Sequence, residues 1–166
     1  VTGVQTCALP ISMIDCDVHV QIAHPEELLR YIDEAERDWY RNQAYLLGLP
    51  SYPWSNPSTW YRGDLETDET GTPGGNARVV AKEVLDDQGA DLAILTADDA
   101  LSVGLMENAY RAAALARAHN EWLANDWFPH DERFRGSIIV PTQDPAAAVA
   151  EIERCAANPQ IGRAHV

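Results

Sequence analysis

Lysine is almost missing from this chain. Lys82 is the only one among 166 residues, and with the arginines the basic total reaches 12 against 26 acidic residues. The net charge is −14 and the pI is near 4.5. A nucleic-acid surface needs a positive footprint to displace counterions, and an anionic membrane surface attracts clustered Lys and Arg. No nucleic acid and no membrane is therefore expected as a partner. Cysteine is scarce too: Cys7, Cys16 and Cys155 form neither a disulfide framework nor a Cys-x-x-Cys motif. No apolar run approaches the ~20 residues of a bilayer span. No basic region precedes an apolar stretch at the N-terminus, as it would in a secretory leader. A phosphate loop is missing as well, because "GTPGG" (71–75) neither follows a strand nor has the required spacing. These absences fit a soluble, acidic protein with a small-molecule substrate, long enough for one core, and make a reducing cytoplasm the default expectation.

What is present begins with "MIDCDVHVQ", residues 13–21. Side chains alternate across a strand, so Asp15, Asp17 and His19 fall on one face and Ile14, Cys16 and Val18 on the other. Two acids and a histidine on a buried face are costly unless something pairs with them. A metal ion is one such partner. Residues i and i+2 of a strand are about 6.5–7 Å apart at Cα, so Asp17 and His19 can meet on one ion beyond the strand end, at about 2.0–2.2 Å each. A hydrogen-bonded structural pair is the bland alternative.

The rest of the chain alternates helix and strand. The 24–37 segment reads as a helix opened by Pro25, with Leu28, Leu29 and Ile32 apolar. Residues 48–75 are rich in Pro, Gly, Ser and Thr and carry Tyr52, Trp54, Trp60 and Tyr61, a long irregular connection. A helix capped by Asn76 runs to Gly89, followed by a buried strand at 91–97. A long helix over 105–127 and a strand at 134–141 come next. Asp144 then caps a helix with Pro145 first and Ala148, Val149 and Ile152 inward. Such alternation implies a parallel sheet.

Three stretches share a family pattern. "IDCDVHV", "NEWLANDW" and "DERFRGSIIVPTQDPAAAVAEIERC" resemble the amidohydrolase-related family of metal-dependent hydrolases and decarboxylases. The resemblance implies a partial (β/α)8 TIM barrel, about the first three βα units. It also implies His-x-His or Glu-x-His at the end of the first strand, where this chain has Asp17 and His19. The metal ligands are thus expected at Asp17 and His19, on the C-terminal face where such barrels keep their sites. A carboxylate in the first position favours manganese or magnesium relative to zinc, while the imidazole still suits zinc. The divalent ion, Zn or Mn, would lower the pKa of a bound water or polarise a substrate carboxylate. The remaining ligands and the catalytic groups, a histidine after strand five, another after strand six and an aspartate after strand eight, are expected beyond residue 160. The whole protein is a candidate homo-oligomer.

The ends look foreign to this pattern. "VTGVQTCALPI" and "IGRAHV" resemble the two strands of a sequencing adapter in translation. Residues 1–12 and 161–166 are therefore set aside as artefacts, and 13–160 are taken as the N-terminal part of the barrel, a fragment inactive alone. Other residues receive structural expectations: Asp15 as an orienting acid, His24 as a cap, His119 as a satisfied half-buried histidine and His130 as a loop residue. Asp98 and Asp99 follow strand two and so stand on the catalytic face, where a solvated turn is expected ahead of a substrate contact. Cys16 is assigned to the core, and the aromatics at 52–61 either to a roof over the site or to a plug under the loop. One competing reading takes "MIDCD" as the Asp-x-Asp of a haloacid-dehalogenase-like phosphatase, against which His19 stands where Thr or Val is usual.

Overall fold

Four apolar runs become the strands of one parallel sheet in a computed structural model that describes residues 12–42 and 72–165. They are β1 (Ile14–Val20), β2 (Leu92–Ala97), β3 (Phe134–Ile139) and β4 (Ile161–His165), in the order β1-β2-β3-β4 with every pairing parallel. Parallel neighbours need crossovers, and helices supply them. Strand β4 lies in the tail set aside from the sequence. It pairs Gly136 with Ile161 and Ile139 with His165, using the unpaired groups that an open edge of β3 offers.

The segment expected as one helix over 24–37 is two, α1 (Pro25–Leu29) and α2 (Glu34–Asn42). Tight bonds from Tyr31 to Leu28 and from Ile32 to Leu29 close the first. Ile32 turns inward at 3% exposure, which favours the bend over a straight helix. Asn76 caps α3 (Ala77–Val80), its side-chain oxygen accepting from the N–H groups of Arg78 and Val79. The helix continues with π-type turns over Ala81–Asp87, and Gly89, at φ +76°, ends it.

After β2 the chain forms 3-10 turns at Asp98–Leu105, so the long helix starts later than expected. Asn108 caps α4 (Ala109–Trp122), which runs on as π turns through Trp127. Asp144 caps α5 (Pro145–Cys155) by accepting from Ala146 and Ala147. Its inward face is not the one expected. Val149 and Ile152 are exposed, whereas Glu151 and Cys155 are buried. Glu151 is affordable inside because Asn120 donates to it at 2.7 Å and Arg154 pairs with it at 2.6 Å.

One core gathers Val18, Val20, Leu95, Ala97 and Phe134 from the strands with Leu28, Leu29, Tyr40, Leu115, Trp122 and Leu123 from the helices. Each such aliphatic or aromatic side chain is worth about 1.5–3 kcal/mol on full burial. Buried Asn120 joins α4 to β3: it donates to the Ile139 carbonyl and accepts from the Ile139 N–H, both at 2.8 Å.

Candidate metal centre

The alternation expected along β1 breaks once. Asp15 pairs with Ala93 and Val18 with Leu95, three steps on β1 against two on β2. One residue is therefore extra, and such bulges re-aim the side chains that follow. Asp15 supports the irregularity by accepting from the Asp17 N–H at 3.1 Å, the structural role expected of it. The bulge also explains a correction: Cys16 is exposed and lies outside the core. Beyond it, Val18 and Val20 enter the core and His19 takes the opposite face.

Asp17 and His19 do converge. His19 Nε2 lies 3.1 Å from Asp17 Oδ1, with Asp17 largely open to solvent. The other ring nitrogen, Nδ1, lies 3.0 Å from Asp98 Oδ1. Asp98 is the first residue past β2, and the register of His19 with Thr96 carries it to the same end of the sheet. Its second oxygen accepts from Gln21 Nε2 at 3.3 Å. The neighbouring Asp99 accepts from the Ile22 N–H at 3.0 Å. Burial pushes the Asp99 carboxyl up to about 6, against the pull of that hydrogen bond. Neither acid belongs to a solvated turn; together they tie the end of β1 to the end of β2.

The returning connection is fixed at the same place. The Gln21 N–H donates to the Gly74 carbonyl at 2.9 Å. Gly74 has φ +72°, and a Cβ there would stand 2.9 Å from the His19 carbonyl oxygen. Only glycine brings the chain this close to the ligand strand.

The other candidates sort differently. His24 takes the N-cap of α1, its N–H donating to Glu27 at 3.2 Å. His130 is exposed in a short turn. His119 departs from expectation: it is fully buried edge-on to Trp122, and neither ring nitrogen has a hydrogen-bond partner among the described residues. Burial pulls its pKa down to about 3. The aromatics at 52–61 lie outside the described residues.

Two ligands about 2.0–2.2 Å from one ion, at right-angled or tetrahedral angles, stand roughly 3.0–3.5 Å apart. The Asp17–His19 separation falls in that range and is equally that of a hydrogen-bonded pair. The set is nevertheless only a pair: among the described residues no group of three or more His, Cys, Asp and Glu can hold an ion. None of the contacts of Asp17, Asp98 or Asp99 among those residues is to Arg or Lys, so the local charge favours a cation. Sequence reasoning missed Gln21 and Gly74; it put Asp98 on the right face but favoured a solvated turn over the contact with His19. The available signal for Asp98 was its place just past the strand that neighbours β1.

A parallel sheet with polar groups gathered beyond the C-terminal ends of adjacent strands defines an α/β protein of the strand-end-site type. The family model for amidohydrolases matches residues 14–165. The chain belongs to the amidohydrolase family. Similar curated proteins include a gamma-resorcylate decarboxylase from Polaromonas sp. (strain JS666 / ATCC BAA-500), 36% identical over 72 residues, 43% of this chain and 22% of that protein. A gamma-resorcylate decarboxylase from Rhodococcus jostii (strain RHA1) is 34% identical over 76 residues, 46% and 23% respectively. The matched stretch thus spans less than a quarter of either relative. Among the described residues, no helix is long and apolar enough to cross a membrane.

Proposed function

We propose that this chain is part of a metal-dependent amidohydrolase-family enzyme, a decarboxylase acting on a small carboxylated organic substrate. The observation that carries the reading is the approach of Asp17 Oδ1 and His19 Nε2 to 3.1 Å at the end of β1. In the proposed whole protein, β1–β3 begin a (β/α)8 barrel, and groups beyond residue 160 complete the ligand set and move the proton. The two relatives named as decarboxylases favour a carboxy-lyase over a hydrolase. The proposed setting is cytoplasmic.

Asp17 and His19 would hold a divalent ion, Zn or Mn. The ion supplies Lewis acidity toward a substrate oxygen. Asp17 contributes negative charge that offsets the ion, and its exposure leaves that side of the pair open to a substrate. His19 contributes Nε2 from a rigid strand. Asp98 holds the imidazole plane from the far side. Gly74 presses the returning chain against the His19 backbone and limits movement of the strand end. With both carboxylates intact the pocket draws cations, so a carboxylated substrate needs the ion to be accepted at all.

A thermal melt with and without Mn2+ tests the reading. A ligand at a hundredfold excess over its Kd stabilises by about 2.7 kcal/mol, which raises Tm by roughly 5–10 °C in a domain of this size. Asp17→Ala and His19→Ala should each abolish the rise. A melt unmoved by Mn2+ and Zn2+ would remove the metal from the proposal. In the full-length protein, CO2 release from a carboxylated substrate, measured beside amide and ester hydrolysis, separates the lyase from the hydrolase.

A further inference from the structure

We infer that Asp98 is a positioning residue for His19: its carboxylate selects the imidazole tautomer that presents an unprotonated Nε2. The inference deepens the proposed metal reading and rests on it for its purpose, though not for its geometry. A neutral imidazole carries one N–H, and the nitrogen that keeps it becomes the donor. His19 has a carboxylate oxygen near each nitrogen, Asp98 Oδ1 at 3.0 Å from Nδ1 and Asp17 Oδ1 at 3.1 Å from Nε2. The two carboxylates are not equivalent. Asp17 is 74% exposed at the end of a bulged strand, so water satisfies its oxygens.

Asp98 is 24% exposed, and its other oxygen is already committed to Gln21 Nε2. It has the geometry to hold a donor and fewer waters to replace one. The N–H therefore belongs on Nδ1. Nε2 and Asp17 Oδ1 then face each other as two lone-pair donors, an arrangement that calls for a cation between them. Metal-bound histidines commonly donate their second N–H to a carboxylate, which fixes the ring and raises its basicity. Here the carboxylate comes from the neighbouring strand. Gln21 braces Asp98, and its own N–H is anchored on the Gly74 carbonyl at 2.9 Å.

The test reads the tautomer directly. Long-range 15N–1H correlation of the full chain, free of metal and above the ordinary histidine pKa of about 6.5, should give the Nδ1–H form for His19, assigned by loss of its signals in His19→Gln. In Asp98→Ala the ring should shift toward the Nε2–H form. In Asp98→Asn the side-chain oxygen still accepts, and the Nδ1–H form should persist, which also guards against a variant that merely misfolds. Mn2+ affinity, followed by loss of the free-ion electron paramagnetic resonance signal, should fall about 10–100-fold in Asp98→Ala, with most of it recovered in Asp98→Asn. The same tautomer in wild type and Asp98→Ala would overturn the positioning role, whatever the metal does. An Asp98-dependent tautomer in a chain that binds no Mn2+ would uphold the positioning role and defeat the metal reading instead.

Discussion

Asn120 concentrates more consequence in one side chain than any other polar residue of the core. It closes both backbone groups of Ile139 and donates to Glu151. Asn120→Ala takes this partner from the two backbone groups of Ile139, each costing about 1–3 kcal/mol when left unsatisfied, and removes one bond from Glu151, which keeps Arg154. A loss of ~3 kcal/mol or more is expected in urea denaturation. A loss below ~1 kcal/mol would mean that water replaces the amide. At this scale the sequence was legible where a residue acts locally. Asn76, Asn108 and Asp144 were each placed to bond the first N–H groups of a helix, and Asn76 and Asp144 could be read as caps directly from their neighbours. Asp98 and Asn120 act through partners brought near by the fold, 79 and 19 positions away, and no local pattern announces that.

At the scale of elements, α5 tells why hydropathy alone misplaces a helix face. Its apolar residues suggested that Ala148, Val149 and Ile152 point inward; Ala148 does pack inward, but Val149 and Ile152 face out and the helix turns Glu151 and Cys155 toward the sheet. The ion pair of Glu151 with Arg154 and its bond from Asn120 make a polar residue the better fit there. Those contacts, with the hydrogen-bonded partners outweighing the cost of burial, hold the Glu151 carboxyl below its usual range. A double change, Val149→Ser with Ile152→Ser, should therefore cost within about 0.5 kcal/mol, as surface changes do. Glu151→Ala should cost several times more, since it leaves one buried Asn120 N–H without an acceptor and removes one of the two carboxylates paired with Arg154. Equal losses in the two variants, measured by denaturant midpoint, would restore the face first expected. Strand and helix types were readable from period and caps. The bulge in β1 was not, because an extra residue leaves no mark in composition.

For the whole molecule, two buried groups set opposing slopes of stability with pH. His119 has a folded pKa of about 3 against an ordinary 6.5. The unfolded chain therefore takes up the proton first, and stability falls as pH drops from about 6.5 toward 3, by up to ~1.4 kcal/mol per unit. Asp99 has a folded value of about 6 against 3.8. Its folded form takes up the proton first, so stability rises as pH falls from 6 to about 3.8. The two nearly cancel between about pH 6 and 4. In His119→Leu the first slope vanishes, and stability relative to wild type should climb steadily on acidification across that window. Parallel curves for the two proteins would place a proton-accepting partner beside His119. The parallel sheet as such was legible from the alternation of strands and helices, whereas the joining of Ile161–His165 to its edge was not.

The strand pairing that builds the site has a kinetic consequence. His19 meets Asp98 only after the chain has closed from Val20 to Leu92, a long loop whose closure cost grows slowly with length. β2 and β3 are separated by less sequence, so their pairing closes a shorter loop. Docking of β1 is thus the step that brings His19 to Asp98. A chain with β1 detached lacks the His19–Asp98 contact, whereas the Trp122–Trp127 contact involves no residue of β1. A probe of His19 therefore reports the docking of β1 directly, which the summed emission of five tryptophans does not.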